Sequence, residues 1–287
     1  VGSEMCIRDS FWAALDEADA RDEQHDFHFA SVDQSRYTVM FFTDLHLTNS
    51  SEKRDLDHYR SIALASISDE AAQASARGPV YSLNLGDLSH DLYWYQYDFD
   101  VSSAKRFLEQ NGFPTLLYSI PGNHDNDGAT PAGVGVDRRA EHLYRRTFGP
   151  TYYAMNIGDV HWIMMDNIIY KNTPGKGKKN VGVVGARDYD KGFTPEQLAW
   201  LRRDLATVED KSAPVVVAMH AATYRYNKFN DKVTAGLSDP AYSAELKACF
   251  DGFEEVHYVS GHIHKNLLAR VDDRLIEHNI GLSLIHI

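Results

Sequence analysis

Along this chain, short and nearly continuous apolar runs end in polar clusters and are followed by longer stretches with helical spacing. "RYTVMFFTD" (Arg36 to Asp44) reads as a buried strand closing on polar residues. "DHYRSIALASISDEAAQASARG" (Asp57 to Gly78) predicts an amphipathic helix stopped at Gly78-Pro79. "VYSLNLGD" (Val80 to Asp87) predicts the next strand, "SSAKRFLEQNG" (Ser102 to Gly112) the next helix, and "PTLLYSIPGNHD" (Pro114 to Asp125) a third strand. The order is βαβαβ, which points to an α/β domain.

The second half varies the theme. "YYAMNIGDVHWIMMDN" (Tyr152 to Asn167) predicts two strands joined at Gly158, a hairpin among the parallel units. In "TPEQLAWLRRDLATV" (Thr194 to Val208), Thr194 stands at the N-cap and Pro195 at the first helical position. "APVVVAMH" (Ala213 to His220) and "EVHYVSGH" (Glu255 to His262) are apolar runs that each close on a histidine. No repeat, no low-complexity tract and no apolar run long enough for a membrane span interrupts the pattern.

At 287 residues and 43% hydrophobic, the chain can bury one large core. Its formal net charge of -12 argues against a general nucleic-acid coating protein, although a local metal site still attracts phosphate. Residues 1–10 (VGSEMCIRDS) and 282–287 (LSLIHI) resemble translated sequencing adapter and are set aside from the fold, with 11–35 as a lead-in and 36–281 as the domain. The genuine chain is then expected to be a C-terminally truncated fragment whose one thiol is Cys249, which rules out an internal disulfide.

The polar clusters carry the chemistry. Five apolar runs end in Asp44-Leu45-His46, Gly86-Asp87, Gly122-Asn123-His124-Asp125, His220, and Gly261-His262-Ile263-His264. Ligands of open α/β sheets sit beyond the carboxyl ends of the strands, so five clusters at such ends converge if the strands share an edge. Imidazole and carboxylate are ligands of first-row divalent metals, and no thiolate is among them. Asp44, His46, Asp87, Asn123, His220, His262 and His264 are too many for one tetrahedral ion but suit two ions sharing a carboxylate. The third cluster lies in "PGNHDNDG" (Pro121 to Gly128), where turn chemistry alone accounts for the proline and glycines.

In this order and spacing, D-x-H, G-D, G-N-H-D, H and G-H-x-H resemble the signature of calcineurin-like metallophosphoesterases. The resemblance implies a four-layer α/β/β/α sandwich of two mixed sheets with a dinuclear site at one edge. It implies that Asp44, His46 and His264 hold one divalent ion, Asn123, His220 and His262 the second, and Asp87 both; manganese, zinc and iron all suit the set. By the same resemblance, His124 contacts the phosphate and protonates the leaving oxygen, and Asp125 orients that imidazole. The implied reaction is hydrolysis of a phosphomonoester or phosphodiester by metal-activated hydroxide.

Substrate-side candidates lie nearby. Asn123 and His124 face the phosphate by their place in the motif, and "HDLYWYQYDF" (His90 to Phe99) offers His90, Asp91 and an aromatic group including Tyr93. "ATYRYNKFN" (Ala222 to Asn230) offers Tyr224. "YKNTPGKGKKN" (Tyr170 to Asn180) is a lysine-rich loop, read either as solvated surface or as a flap meeting an anionic substrate.

Two departures stand out. His90 occupies the place where purple acid phosphatases carry a tyrosine, and "NLLARVDDRLIEHNI" (Asn266 to Ile280) is all that is left to supply the closing strands. The aromatic segment and the extended "GNHDNDGATPAGVG" are similar to a bacterial envelope branch, which implies an envelope or periplasmic location. The competing readings are a noncatalytic scaffold of the same fold and a metallohydrolase of a nonphosphate bond. The full ligand set disfavours the first, and His124 disfavours the second.

Overall fold

Alternation within single strands decides the architecture. In order, the strands are β1 (Thr38–Phe42), β2 (Val80–Asn84), β3 (Leu117–Ser119), β4 (Tyr153–Ile157), β5 (Val160–Met165), β6 (Ile168–Tyr170), β7 (Lys178–Lys179) and β8 (Ala186–Arg187). They continue as β9 (Tyr189–Lys191), β10 (Val215–Met219), β11 (Tyr224–Asn227), β12 (Lys232–Ala235), β13 (Val256–Ser260), β14 (Leu267–Arg270), β15 (Leu275–Asn279) and β16 (Ile285–His286). The structure is a computed structural model, and it describes residues 32–50, 55–173, 178–179, 186–281 and 285–286. Residues 1–10, the lead-in up to residue 31, and part of the lysine-rich loop lie outside the described residues.

Two sheets result. The first has the order β16-β1-β2-β3, with β1, β2 and β3 parallel and β16 antiparallel at the edge. Its edge strand is formed by two residues of the 282–287 segment, paired with Met40 and Phe41. The second has the order β14-β15-β13-β10-β5-β4, with parallel β15, β13, β10 and β5 flanked by antiparallel β14 and β4. The hairpin joined at Gly158 is therefore β4 and β5, and the 266–280 segment supplies β14 and β15.

Each strand divides its side chains between two cores because its residues alternate faces. Val39 and Phe41 of β1 pack against Trp162, Met164, Ala218 and Val259 of the second sheet, forming the layer between the sheets. Met40 and Phe42 point the other way, onto Ile67 and Ala71 of helix Leu64–Ser75 and Phe107 and Leu108 of helix Val101–Gln110. On the far side, Ile163, Met165, Val215 and Val217 cover Leu198, Leu201 and Leu205 of helix Pro195–Leu205 and Leu246 of helix Pro240–Cys249. The molecule is the four-layer α/β/β/α sandwich that the resemblance implies. Burial of each large side chain contributes about 1.5–3 kcal/mol, so the sheet interface is the rigid base of whatever sits at its edge.

The helix signals act as read, with one exception. Thr194 accepts a hydrogen bond from the Gln197 amide at 3.2 Å with Pro195 beside it, and Asp100 caps the helix that follows it. The helix expected over residues 57–78 begins at Asp55, passes through a π turn at Tyr59–Ala63 and ends at Ser75. Among the described residues no helix is long and apolar enough to cross a membrane.

Candidate metal centre

The strand ends are stitched together by backbone before any side chain is considered. The Asp44 amide donates to Gly86 O at 3.0 Å, the His46 amide to Asp87 O at 2.9 Å, and the Gly261 amide to His220 O at 3.0 Å. Among the described residues, eight that are not glycine have positive φ, and five of them are Asp44, His46, Asp87, His262 and His264. A left-handed residue other than glycine costs roughly 1–3 kcal/mol and concentrates at functional sites. Two glycines allow the loops to close: a Cβ on Gly122 would overlap the Asp87 carboxylate and amide, and one on Gly261 would overlap Thr43.

Two adjoining ligand groups form at this edge. In the first, His264 Nε2 lies 3.0 Å from Asp44 Oδ1, and His46 Nε2 lies 3.5 Å from His264 Nε2. In the second, His220 Nε2 lies 3.1 Å from His262 Nδ1 and 3.2 Å from Asn123 Oδ1. Asp87 stands between them: its Oδ2 is 3.3 Å from His220 Nε2 and 3.9 Å from His46 Nε2. All seven sequence-predicted ligands are brought together. Their other atoms are held from behind, as metal ligands usually are. His220 Nδ1 donates to Leu85 O at 2.8 Å, which turns Nε2 inward, and Asp44 Oδ2 accepts from the His262 amide at 2.9 Å.

The electrostatics fit divalent cations. Burial pushes His46 down to about 4 and His262 down to about 3, so both present neutral imidazoles with free lone pairs, the form that ligates. Burial opposes the charge on Asp87, but the imidazoles of His220, His124 and His46 overcome it and hold the carboxyl well below its usual range. Burial opposes charge on His220 too, and there the Asp87 carboxylate wins, lifting the imidazole to about 9. Asp87 thus stays charged between the two ligand groups. Oxygen and imidazole donors without sulfur suit manganese, zinc or iron.

Comparison with known proteins agrees. The family model for calcineurin-like phosphoesterases matches residues 37–266. The chain belongs to the calcineurin-like phosphoesterase family. A dimetal phosphatase from Danio rerio has a similar fold, with a TM-score of 0.52, 12% identity, and coverage of 86% of this chain and 88% of that one. A phosphopantetheinyl hydrolase from Mycobacterium tuberculosis aligns at a TM-score of 0.45 and 14% identity, over 86% of this chain and 90% of that one. No curated protein sequence matches the chain.

Around this calcineurin-like core the structure sorts the remaining candidates. His124 sits on the rim, its ring centroid 4.8 Å from that of His46, and its backbone amide donates to Asp87 Oδ1 at 2.7 Å. Its Nδ1 donates to Asp91 Oδ1 at 2.6 Å, and its Nε2 has Arg187 Nη1 2.9 Å away. Asp91 is fully buried. The expected orienting role of Asp125 is therefore corrected: its carboxylate faces the neighbouring loop, accepting from the amides of Leu88 (3.3 Å), Ser89 (2.9 Å) and Gly122 (3.0 Å) and from the Ser89 hydroxyl (3.0 Å). Asp125 locks the Asp87 loop to the His124 loop instead. Burial and the nearby Asp87 charge raise its carboxyl to about 6.

His90 belongs to the rim, with its ring 4.2 Å from that of His124, and Tyr93 packs on His90 at 4.9 Å. Tyr224 does not join them. Its hydroxyl donates to Ser243 O at 3.0 Å and its amide is held by Glu277, so the side chain serves the helix-side core. Two rim residues escaped the sequence reading. Arg187 Nη1 lies 3.1 Å from Asp91 Oδ1 and 2.9 Å from His124 Nε2, and the Tyr189 ring meets His262 edge-on at 6.5 Å. Both come from the return arm of the excursion between β6 and β9, which no motif marks.

Proposed function

We propose that this chain is a dinuclear metal-dependent phosphoesterase that hydrolyses a phosphomonoester or phosphodiester. The observation that carries the reading is the position of Asp87, one carboxylate oxygen of which faces both ligand groups. Asp44, His46 and His264 would hold one divalent ion and Asn123, His220 and His262 the other, with Asp87 available to both. Two such ions supply Lewis-acid polarisation of the phosphoryl group and an acidified water.

The rest is the work of this chain's own residues. His264, with its side chain 42% exposed, marks the open side where a phosphorylated substrate enters, while Asp44 and His220 form the closed floor. His124 lies beside that opening, and Asp91 keeps its Nδ1 occupied, so Nε2, with Arg187 Nη1 2.9 Å away, is the nitrogen that gives a proton to the departing oxygen. Asn123 adds a neutral ligand, so the floor is less negative than a third carboxylate would make it. In His124→Ala, both metal equivalents should be retained while turnover of p-nitrophenyl phosphate or its bis ester falls roughly 10²–10⁴-fold. Unchanged turnover at full metal content would remove His124 from the reaction.

A further inference from the structure

Arg187 is the feature of the rim that the reading above leaves unused. Its side chain is only 10% exposed, and its guanidinium lies where the two ligand groups open toward His124. All its protein contacts run through Nη1, to Asp91 Oδ1 and the His124 ring. Nε and Nη2, which carry three of the five guanidinium N–H donors, have no partner among the described residues. Neither nitrogen is closed off from solvent, so a guanidinium with three donors free at the mouth of the site is placed to take an anion with several acceptor oxygens. Asp91 Oδ1 accepts from both His124 Nδ1 and Arg187 Nη1, so it engages one guanidinium nitrogen and leaves Nε and Nη2 for a ligand.

We infer that Arg187 is a substrate-binding residue that selects a terminal, dianionic phosphoryl group, making the enzyme a phosphomonoesterase by preference. This rests on the phosphoesterase reading and narrows its substrate class. A monoester end carries three non-ester oxygens and up to two negative charges, whereas a diester carries two such oxygens and one charge. With two non-ester oxygens turned toward the two ligand groups, a monoester still offers a third, charged oxygen to the guanidinium, whereas a diester offers there an esterified oxygen, a weak acceptor that adds bulk beside the His124 ring. The backbone supports the placement: Arg187 lies two residues before Tyr189, which pairs with Tyr170 in register, and the Lys171 and Asn172 amides both donate to Asp188 O at 2.8 and 2.9 Å. A side chain at 187 is thereby held over the rim by its own hairpin.

The test compares Arg187→Ala and Arg187→Lys with the wild-type full chain, all loaded with manganese. Kinetics on p-nitrophenyl phosphate and its bis ester is paired with calorimetric titration of orthophosphate. In Arg187→Ala, KM for the monoester and Kd for orthophosphate should each rise roughly 10- to 100-fold, and kcat/KM should fall at least about tenfold further for the monoester than for the diester. Arg187→Lys should recover only part of the loss, since an ammonium is a point charge without the fork. Equal losses on both esters, or orthophosphate affinity unchanged in Arg187→Ala, would overturn the assignment. If wild type hydrolyses neither ester yet binds orthophosphate through Arg187, the anion site stands and the hydrolytic reading falls.

Discussion

Asp91→Asn is the substitution that most sharply separates the structure from the sequence motif. Asparagine keeps the volume and one acceptor oxygen of a fully buried side chain, so the fold should hold, but it removes the charge facing His124 Nδ1 at 2.6 Å and Arg187 Nη1 at 3.1 Å. A hydrogen bond to a charged partner is worth about 1.5–3 kcal/mol against roughly 1 kcal/mol for a neutral one. Exchanging one for the other forfeits about 0.5–2 kcal/mol, so kcat falls roughly 2- to 30-fold at 1.36 kcal/mol per decade. The metal ligands are not touched, so metal content should stay at the wild-type value. Asp125→Asn is the control. It exchanges a carboxylate that accepts four bonds for an amide whose NH₂ faces donors, which should lower stability by roughly 1–3 kcal/mol while kcat per metal-loaded enzyme changes by less than about threefold. Steady-state kinetics and thermal melts on both variants decide the matter. Wild-type kcat in Asp91→Asn, with a large loss in Asp125→Asn at full metal content, would refute the argument.

Three further outcomes are expected. Asp87→Ala should lose metal outright, seen as a fall in metal-to-protein ratio after dialysis, because both ligand groups depend on its Oδ2. Gly122→Ala should cost roughly 1–3 kcal/mol and weaken metal retention by displacing Asp87, and a variant with normal melting and metal content would show the loop to be looser than its geometry. Asp137, Glu141 and Asp166 form a buried acidic cluster in which burial, then mutual repulsion, raises Asp137 to about 7 and Glu141 well above its usual range, while burial raises Asp166 to about 6. Folded pKa values above the unfolded ones mean stability that is full below about pH 4 and lost as pH rises through 6–7. Asp166→Asn should therefore reduce the fall in Tm between pH 5 and pH 8 by several degrees, at roughly 2–4 °C per kcal/mol, and an unchanged fall would exclude the cluster as its source.

What the sequence revealed of the site was what spacing encodes. Each proposed metal ligand lies within a few residues of a strand end, so the apolar runs that predict the strands also locate Asp44, Asp87, His220 and His262. The pairing of His124 could not be read the same way. The resemblance implied Asp125, its neighbour in sequence, but the turn closed by the Asp125 amide on Gly122 O sends that carboxylate toward the Leu88 and Ser89 amides. Asp91 arrives from another loop, and its reach depends on the fold. Arg187 was the hardest to find, because it rides on an excursion anchored by three residue pairs of β6 and β9 and bears no motif. Tyr224 misled for a related reason: it follows His220 closely, yet β11 carries it to Ser243 and away from the metals. One signal was available and unread. Asp and His tolerate left-handed backbone better than most residues, and five ligands use it.

The central claim is that seven side chains hold two ions that act as one centre. It is tested most directly by stripping the full chain with chelator and following p-nitrophenyl phosphate hydrolysis as manganese is returned in measured equivalents. The account predicts little activity at one equivalent and a plateau at two. A plateau at one equivalent, or the same rate with and without metal, would contradict it.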